Sequence, residues 1–196
     1  RCALGITAPL ADAPPGPPPP AALSPRQRWY DLDWISRNME YRLGRLFYGG
    51  EAFPSWNSGY AGVSALPTFL GCPIELDMKT GWWDPVIADA EHIDIRHFRI
   101  DENTEVFRFT LDMLHRAVRE THGKSIPSIG AFVGSGDVLA ALRGTEQLLI
   151  DCIERPDEIR AAEEHIIDIF IEYYNRAFGI LKKACGDVLR AKGLAS

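Results

Sequence analysis

Three short stretches of this chain carry residue types that do chemistry. Residues 80–85 read T-G-W-W-D-P, so Trp82 and Trp83 stand beside Asp84, which precedes Pro85. A carboxylate next to two indoles can act as an acid, a base or a hydrogen-bond acceptor; capping the next turn, with ordinary Trp packing, is the alternative. Asp77 lies seven residues upstream as a second candidate carboxylate. Residues 134–137 read Gly134-Ser135-Gly136-Asp137 at the close of an apolar run. A glycine-rich turn from strand to helix exposes amide donors to anions, although a lone G-x-G is weak evidence and Asp137 is equally suited to a helix start. Finally, Trp56-Asn57 offers an aromatic wall beside a polar contact for a flat or cyclic ligand, against the alternative of loop packing.

Metal ligation is not suggested. The four cysteines, Cys2, Cys72, Cys152 and Cys185, are widely spaced with no C-x-x-C. The spacing is that of free thiols in a reducing compartment, with Cys152 as a buried small hydrophobe. His92 and His97 would face opposite sides of a strand, and His115 and His122 share a helix face without a third ligand.

The elements that must position these residues follow from periodicity and breakers. Residues 1–23 are rich in Ala and Pro, peaking in APPGPPPPAA. Successive prolines lack amide donors and favour polyproline II, so a disordered or extended tail without contacts to the core is expected. Ser24-Pro25 supplies a cap and a first helical residue. Apolar residues then recur at three- and four-residue steps from Trp29 to Phe47, which predicts one helix to Tyr48, stopped by Gly49-Gly50. Strands are expected at 52–58, 73–79 and 125–133, with 92–100 a strand or an extended crossing segment. Helices are expected at 61–70 and 102–122, the latter with Val106, Phe109, Leu111, Leu114 and Val118 inward. Two more follow, one through VLAALRGTEQLLIDCI, where Arg143 is assigned to interhelical contacts, and one from Asp157. Strands alternating with helices indicate parallel βαβ units.

With 196 residues, 46% hydrophobic and 24% charged, the chain is long enough for one core-bearing domain. Its net charge of −6 with scattered Lys and Arg argues against a nucleic-acid partner. No apolar run approaches the roughly 20 residues of a membrane span, so neither a membrane partner nor a location other than the cytoplasm is expected.

Taken together, SPRQRW with Y-G-G-E-A-F-P, then F-L-G-C-P with T-G-W-W-D-P-V-I, and above all SIPSIGAFVGSGDVLAALRGTEQLLIDCIERPDEI, resemble the uroporphyrinogen decarboxylase-like superfamily, which includes corrinoid-linked methyltransferases. The resemblance runs from about residue 24 to about 178. It implies an α/β fold, the N-terminal part of a (β/α)8 TIM-type barrel over 24–196, and it implies truncation, since such barrels take about 250 residues. Residues just past the strand ends would face the site: Trp56 and Asn57 after the first strand, Trp82, Trp83, Asp84 and Asp77 around the second, and 134–137 after the third. The resemblance makes Asp84 and Asp77 the catalytic candidates and the others substrate-binding. It implies a small-molecule substrate and lyase or methyltransferase chemistry of the kind found in porphyrin metabolism. The methyltransferase branch would add zinc, a corrinoid and a corrinoid protein, their ligands lying outside this chain. A half barrel would also favour a homo-oligomer. Departures are visible: the loop S-W-N-S-G-Y-A-G holds no Arg or Lys, which argues against a polycarboxylate porphyrinogen, and no His-x-Cys pair is present. The alternative is a non-catalytic binding or assembly protein on part of the same scaffold.

Overall fold

Caps and breakers divide the chain into short elements. A computed structural model describes residues 4–57, 65–121, 124–129 and 133–191, the last stretch with side chains to Lys182. In order these are β1 (Gly5–Pro9), α1 (Pro25–Tyr30), α2 (Leu32–Leu43), β2 (Leu46–Gly50), β3 (Ser55–Trp56), α3 (Leu66–Phe69), β4 (Ile74–Leu76), β5 (Gly81–Trp83), α4 (Glu105–Glu120), β6 (Ile126–Pro127), α5 (Ser135–Arg143), α6 (Thr145–Glu154) and α7 (Pro156–Ala191). The fold is mixed α and β, with three two-stranded sheets among the described residues: β1–β2, β3–β6 and β4–β5. No described helix is long and apolar enough to cross a membrane. The chain divides into two units, the first from 1–59, 112–130 and 177–196, the second from 60–111 and 131–176.

In the first unit the expected single helix over 24–48 is two helices and a strand. Ser24 caps α1 as expected, its Oγ accepting from the Gln27 amide at 3.1 Å. Asp31 then leaves the helical region (φ −92°, ψ 100°) and its Oδ1 accepts from the Trp34 amide at 2.9 Å. That carboxylate caps α2 and thereby ends α1; such side chains offer the backbone an alternative to continued helix. Beyond Gly44 the chain extends as β2, because a partner strand is there to receive it. That partner is β1, antiparallel in the register Gly5↔Gly50 to Pro9↔Leu46. The expectation of a contact-free tail is therefore corrected. Arg45 Nη2 also donates to the Pro14 carbonyl at 2.7 Å, and Trp34 Nε1 to that of Pro20 at 2.9 Å. Proline carbonyls remain acceptors even where the ring has removed the donor. Gly50 (φ +63°) is required where the two strands meet, since a Cβ there would collide with the Leu4 carbonyl oxygen. The remaining sheet of this unit pairs β3 with β6 in parallel, Ser55↔Ile126 and Trp56↔Pro127.

In the second unit β4 and β5 form an antiparallel hairpin, Ile74↔Trp83 to Leu76↔Gly81, rather than a strand of a parallel set. Residues 92–100 are not a strand; they cross in extended and turn conformations. Gly144 (φ +89°) divides the expected single helix into α5 and α6. On α4 Leu114 is buried as expected, but the rest of the buried stripe lies one position away: Phe107, Thr110, Met113 and Ala117 are buried, while Val106, Phe109, Leu111 and Val118 are half-exposed. Phe69, Phe107 and Tyr173 meet edge-on, with centroids 5.0 to 6.4 Å apart, and form the aromatic centre of this unit.

Candidate functional site

Trp56 closes β3, and its ring lines a cavity of about 800 Å3 inside the first unit. This volume is ample for a small ligand. Tyr48 of β2, Glu40 of α2, Arg119 and Glu120 at the end of α4, and Lys124 line the same space. Trp56 is only 3% exposed, and its indole N–H has no acceptor among the described residues. Burial raises the Tyr48 phenol above its ordinary value, partly offset by the Arg42 charge, so it stays protonated at neutral pH. Pro54, Lys124 and Ser125, also on the wall, sit where β3 and β6 begin. The cavity is thus built at the entry end of the parallel pair, with Trp56 reaching it from the exit. Asn57 and Ser128 follow the exits, and the Ser128 amide donates to the Trp56 carbonyl at 3.0 Å.

The charges here are largely matched. Lys124 Nζ lies 3.4 Å from Glu40 Oε1, both side chains well exposed. Glu120 accepts from Arg116 Nε, and Arg116 also reaches Asp33 at 2.7 Å. Arg119 is exposed and has neither an ion pair nor a hydrogen bond among the described residues.

Of the residues singled out from the sequence, Trp56 and Asn57 belong to the first unit, and the rest to the second. Asp77 is committed to its own hairpin: Oδ1 accepts from the Thr80 amide at 2.7 Å and the Lys79 amide at 2.5 Å. Those amides, Thr80 first, hold its carboxyl below the ordinary range, which suits an Asx turn and not an acid. Trp82 and Trp83 do not form one aromatic wall. Neighbours in a strand point to opposite faces: Trp82 is 58% exposed, while Trp83 Nε1 donates to Thr68 Oγ1 at 2.9 Å. Asp84 exposes its side chain and uses its backbone, the carbonyl accepting from Cys72 Sγ at 3.1 Å. Gly134 precedes α5 without a side-chain cap; Ser135 Oγ donates to Glu163 at 3.3 Å, and Asp137 is exposed in the first turn beside Gly136.

The sequence reading missed Glu40, Tyr48, Arg119, Glu120 and Lys124. For Arg119, Glu120 and Lys124 the local signal is the charged run at a helix end, R-E-T-H-G-K, of which His122 and Gly123 lie outside the described residues; Glu40 and Tyr48 carry none. Among the described residues no group of three His, Cys, Asp or Glu side chains could hold a metal ion. The chain matches no protein-family model, no curated protein and no solved structure.

Proposed function

We propose that this chain is a small-molecule protein of the uroporphyrinogen decarboxylase-like kind, built on part of a TIM-type barrel, and that its ligand occupies the Trp56 cavity. The observation that carries the reading is the 800 Å3 space itself, which the buried strand-end residue Trp56 helps to line. It lies at the entry end of β3 and β6, not past the strand exits where the resemblance puts its site. The parallel pairing of β3 with β6, and the passage from β6 through Gly134 into α5, support the barrel part of the reading. Its chemistry on this reading is decarboxylation or methyl transfer on a small cytoplasmic substrate, with a corrinoid protein as partner in the second case. Asp84, the carboxylate that the resemblance offers for it, belongs to the second unit and does not line this cavity.

The described residues do not fit a thiolate zinc site. Cys72, between α3 and β4, is buried between backbone carbonyls, and Cys152 stands exposed on α6. No step is therefore drawn through zinc or a corrinoid. One observation favours the second reading, a non-catalytic binding protein: Oδ1 of Asp77, one of the two catalytic candidates, is engaged by the backbone amides of its own hairpin turn.

Thermal shift against a panel of small carboxylic acids, amines, a corrinoid and a porphyrinogen tests the proposal. At least one small-molecule class is expected to raise Tm, by mass action, and Trp56→Phe to abolish that rise. A panel that never stabilises the protein, or does so equally in the variant, would overturn the reading. Turnover of the bound ligand supports the enzyme; ligand binding without turnover supports the second reading.

A further inference from the structure

We infer that the run Pro17 to Pro20 is a presented ligand, a short polyproline II ridge held on the first unit by its flanking carbonyls, and that its partner is a protein module with an aromatic-lined groove. This is independent of the Trp56 cavity. Pro17, Pro18, Pro19 and Pro20 are consecutive. Each ring fixes φ at about −65°, and a following proline closes the helical region to the residue before it. Polyproline II is therefore the conformation open to the run, whatever packs against it.

The fold adds an anchor on each side. Trp34 Nε1 donates to the Pro20 carbonyl at 2.9 Å. Arg45 Nη2 donates to the Pro14 carbonyl at 2.7 Å and reaches that of Gly16 at 3.3 Å, where the chain bends into the run at φ +137°. With three residues per turn, Pro17 and Pro20 share one ridge. Pro17, Pro18 and Pro20 are exposed and Pro19 is half-buried, so one residue of the turn faces the body and the ridge faces out. A strap that only stabilises the fold accounts for the carbonyl bonds and not for the rings, since such a strap would turn its apolar rings inward. Stacked aromatic side chains in a shallow groove are the surface that a PxxP ridge fits. Residues 13–25 hold no Lys, Arg, Asp or Glu, so recognition rests on the rings and the backbone carbonyls and asks for no oppositely charged groove. Because the segment is already extended and tied on both sides, little ordering remains to oppose binding.

Titration calorimetry of the full chain against a panel of WW, SH3 and EVH1 domains tests this. At least one is expected to bind, and Pro17→Ala/Pro20→Ala to weaken it by about tenfold or more, because each ring cut back to a methyl takes methylenes out of the contact. Alanine keeps both carbonyls, so the fold is expected to survive, read by circular dichroism. Trp34→Phe removes one anchoring donor and is expected to weaken binding by about threefold or more, toward that of a free peptide of residues 12–22. A panel in which nothing binds the chain, or binding that the double variant leaves unchanged, would overturn the proposal. A free peptide that binds as tightly as the chain would overturn the presentation by the fold. Should Trp34→Phe not fold, the comparison of chain with peptide decides that point alone.

Discussion

Arg143 and Asp151 are the most deeply buried charges described, 2% and 0% exposed. Nε of Arg143 donates to Asp151 at 2.7 Å, and Nη1 clamps the carbonyls of Ile87, Ala88 and Ala90, which fixes the segment after β5 against α5. Arg155 and Gln147 complete the coordination of the carboxylate. Arg143→Met leaves Asp151 paired with Arg155 but removes its Nε donor and the clamp on the three carbonyls, so it is expected to destabilise by about 1–3 kcal/mol, measured by denaturant unfolding. Burial pushes the Asp151 carboxyl up, but donors from Arg143, Gln147 and Arg155 outweigh it and the net shift is down. A depressed folded value contributes stability that is complete above the ordinary carboxyl value of 3.8 and is lost as the pH falls below it. Tm measured against pH should therefore show the gap between wild type and Asp151→Asn closing in acid. Cysteine gives a second contrast at this scale. Cys72 is buried, and that burial, with the Asp84 charge, pushes its thiol up to about 11, whereas Cys152, expected inside, is exposed. With Cys2 and Cys185 replaced by Ser, a thiol reagent at pH 8 should titrate Cys152 at once and Cys72 only after denaturation.

Among the elements, β1 changes the account of the N-terminus most. Strand β2 has no other partner among the described residues, so its amides and carbonyls depend on β1 for their bonds. The Arg45 and Trp34 bonds to proline carbonyls hold the segment that follows β1. Removing residues 1–23 is expected to cost about 2 kcal/mol or more, a fall in Tm of about 4–8 °C for a chain of this size, read by differential scanning calorimetry. An unchanged Tm would restore the free-tail view. The Pro-rich composition was legible as extended backbone, which it is; what composition does not reveal is whether an extended segment finds an edge to lie on. At Gly144 the opposite holds: the break is local, and Gly144→Ala is expected to destabilise by about 1–2 kcal/mol because an L residue resists φ +89°.

For the molecule as a whole, α4 and α7 each supply residues to both units, so neither unit is a continuous stretch of chain. On α7 the apolar periodicity predicts a stripe of Ile159, Ala162, Ile166, Phe170, Tyr173 and Ala177; Ala162, Ile166, Tyr173 and Ala177 are buried, with Ile169, while Ile159 and Phe170 are half-buried. A second apolar row, Ile167, Ile171 and Tyr174, is 42–50% exposed at the four-then-three spacing by which helices pair with copies of themselves. The expected outcome is hydrophobic-dye binding and a sedimentation coefficient that rises with protein concentration, both reduced in Ile167→Glu/Ile171→Glu with Tm retained. A concentration-independent monomer without dye binding would refute self-association through this row.

The sequence by itself determined the Ser24 cap and much of the helical content, but not the Asp31 cap, the Gly144 break or the fate of Gly49-Gly50, which lies in β2 instead of stopping a helix. The Ser24 cap and the α7 stripe depend on contacts within about one helical turn, which neighbours in sequence supply. Only the tertiary structure decided strand pairing and charge pairing. Whether 46–50 continues a helix or becomes β2 depends on β1, some forty residues upstream; whether Glu40 is matched depends on Lys124 across 84 residues of sequence. The cavity followed the same rule. Trp56 was visible as a candidate because its type and position suggested a wall, while the residues that complete the wall carry no local mark of it. Their role comes from chain closure, which sets neighbours that no spacing along the sequence encodes.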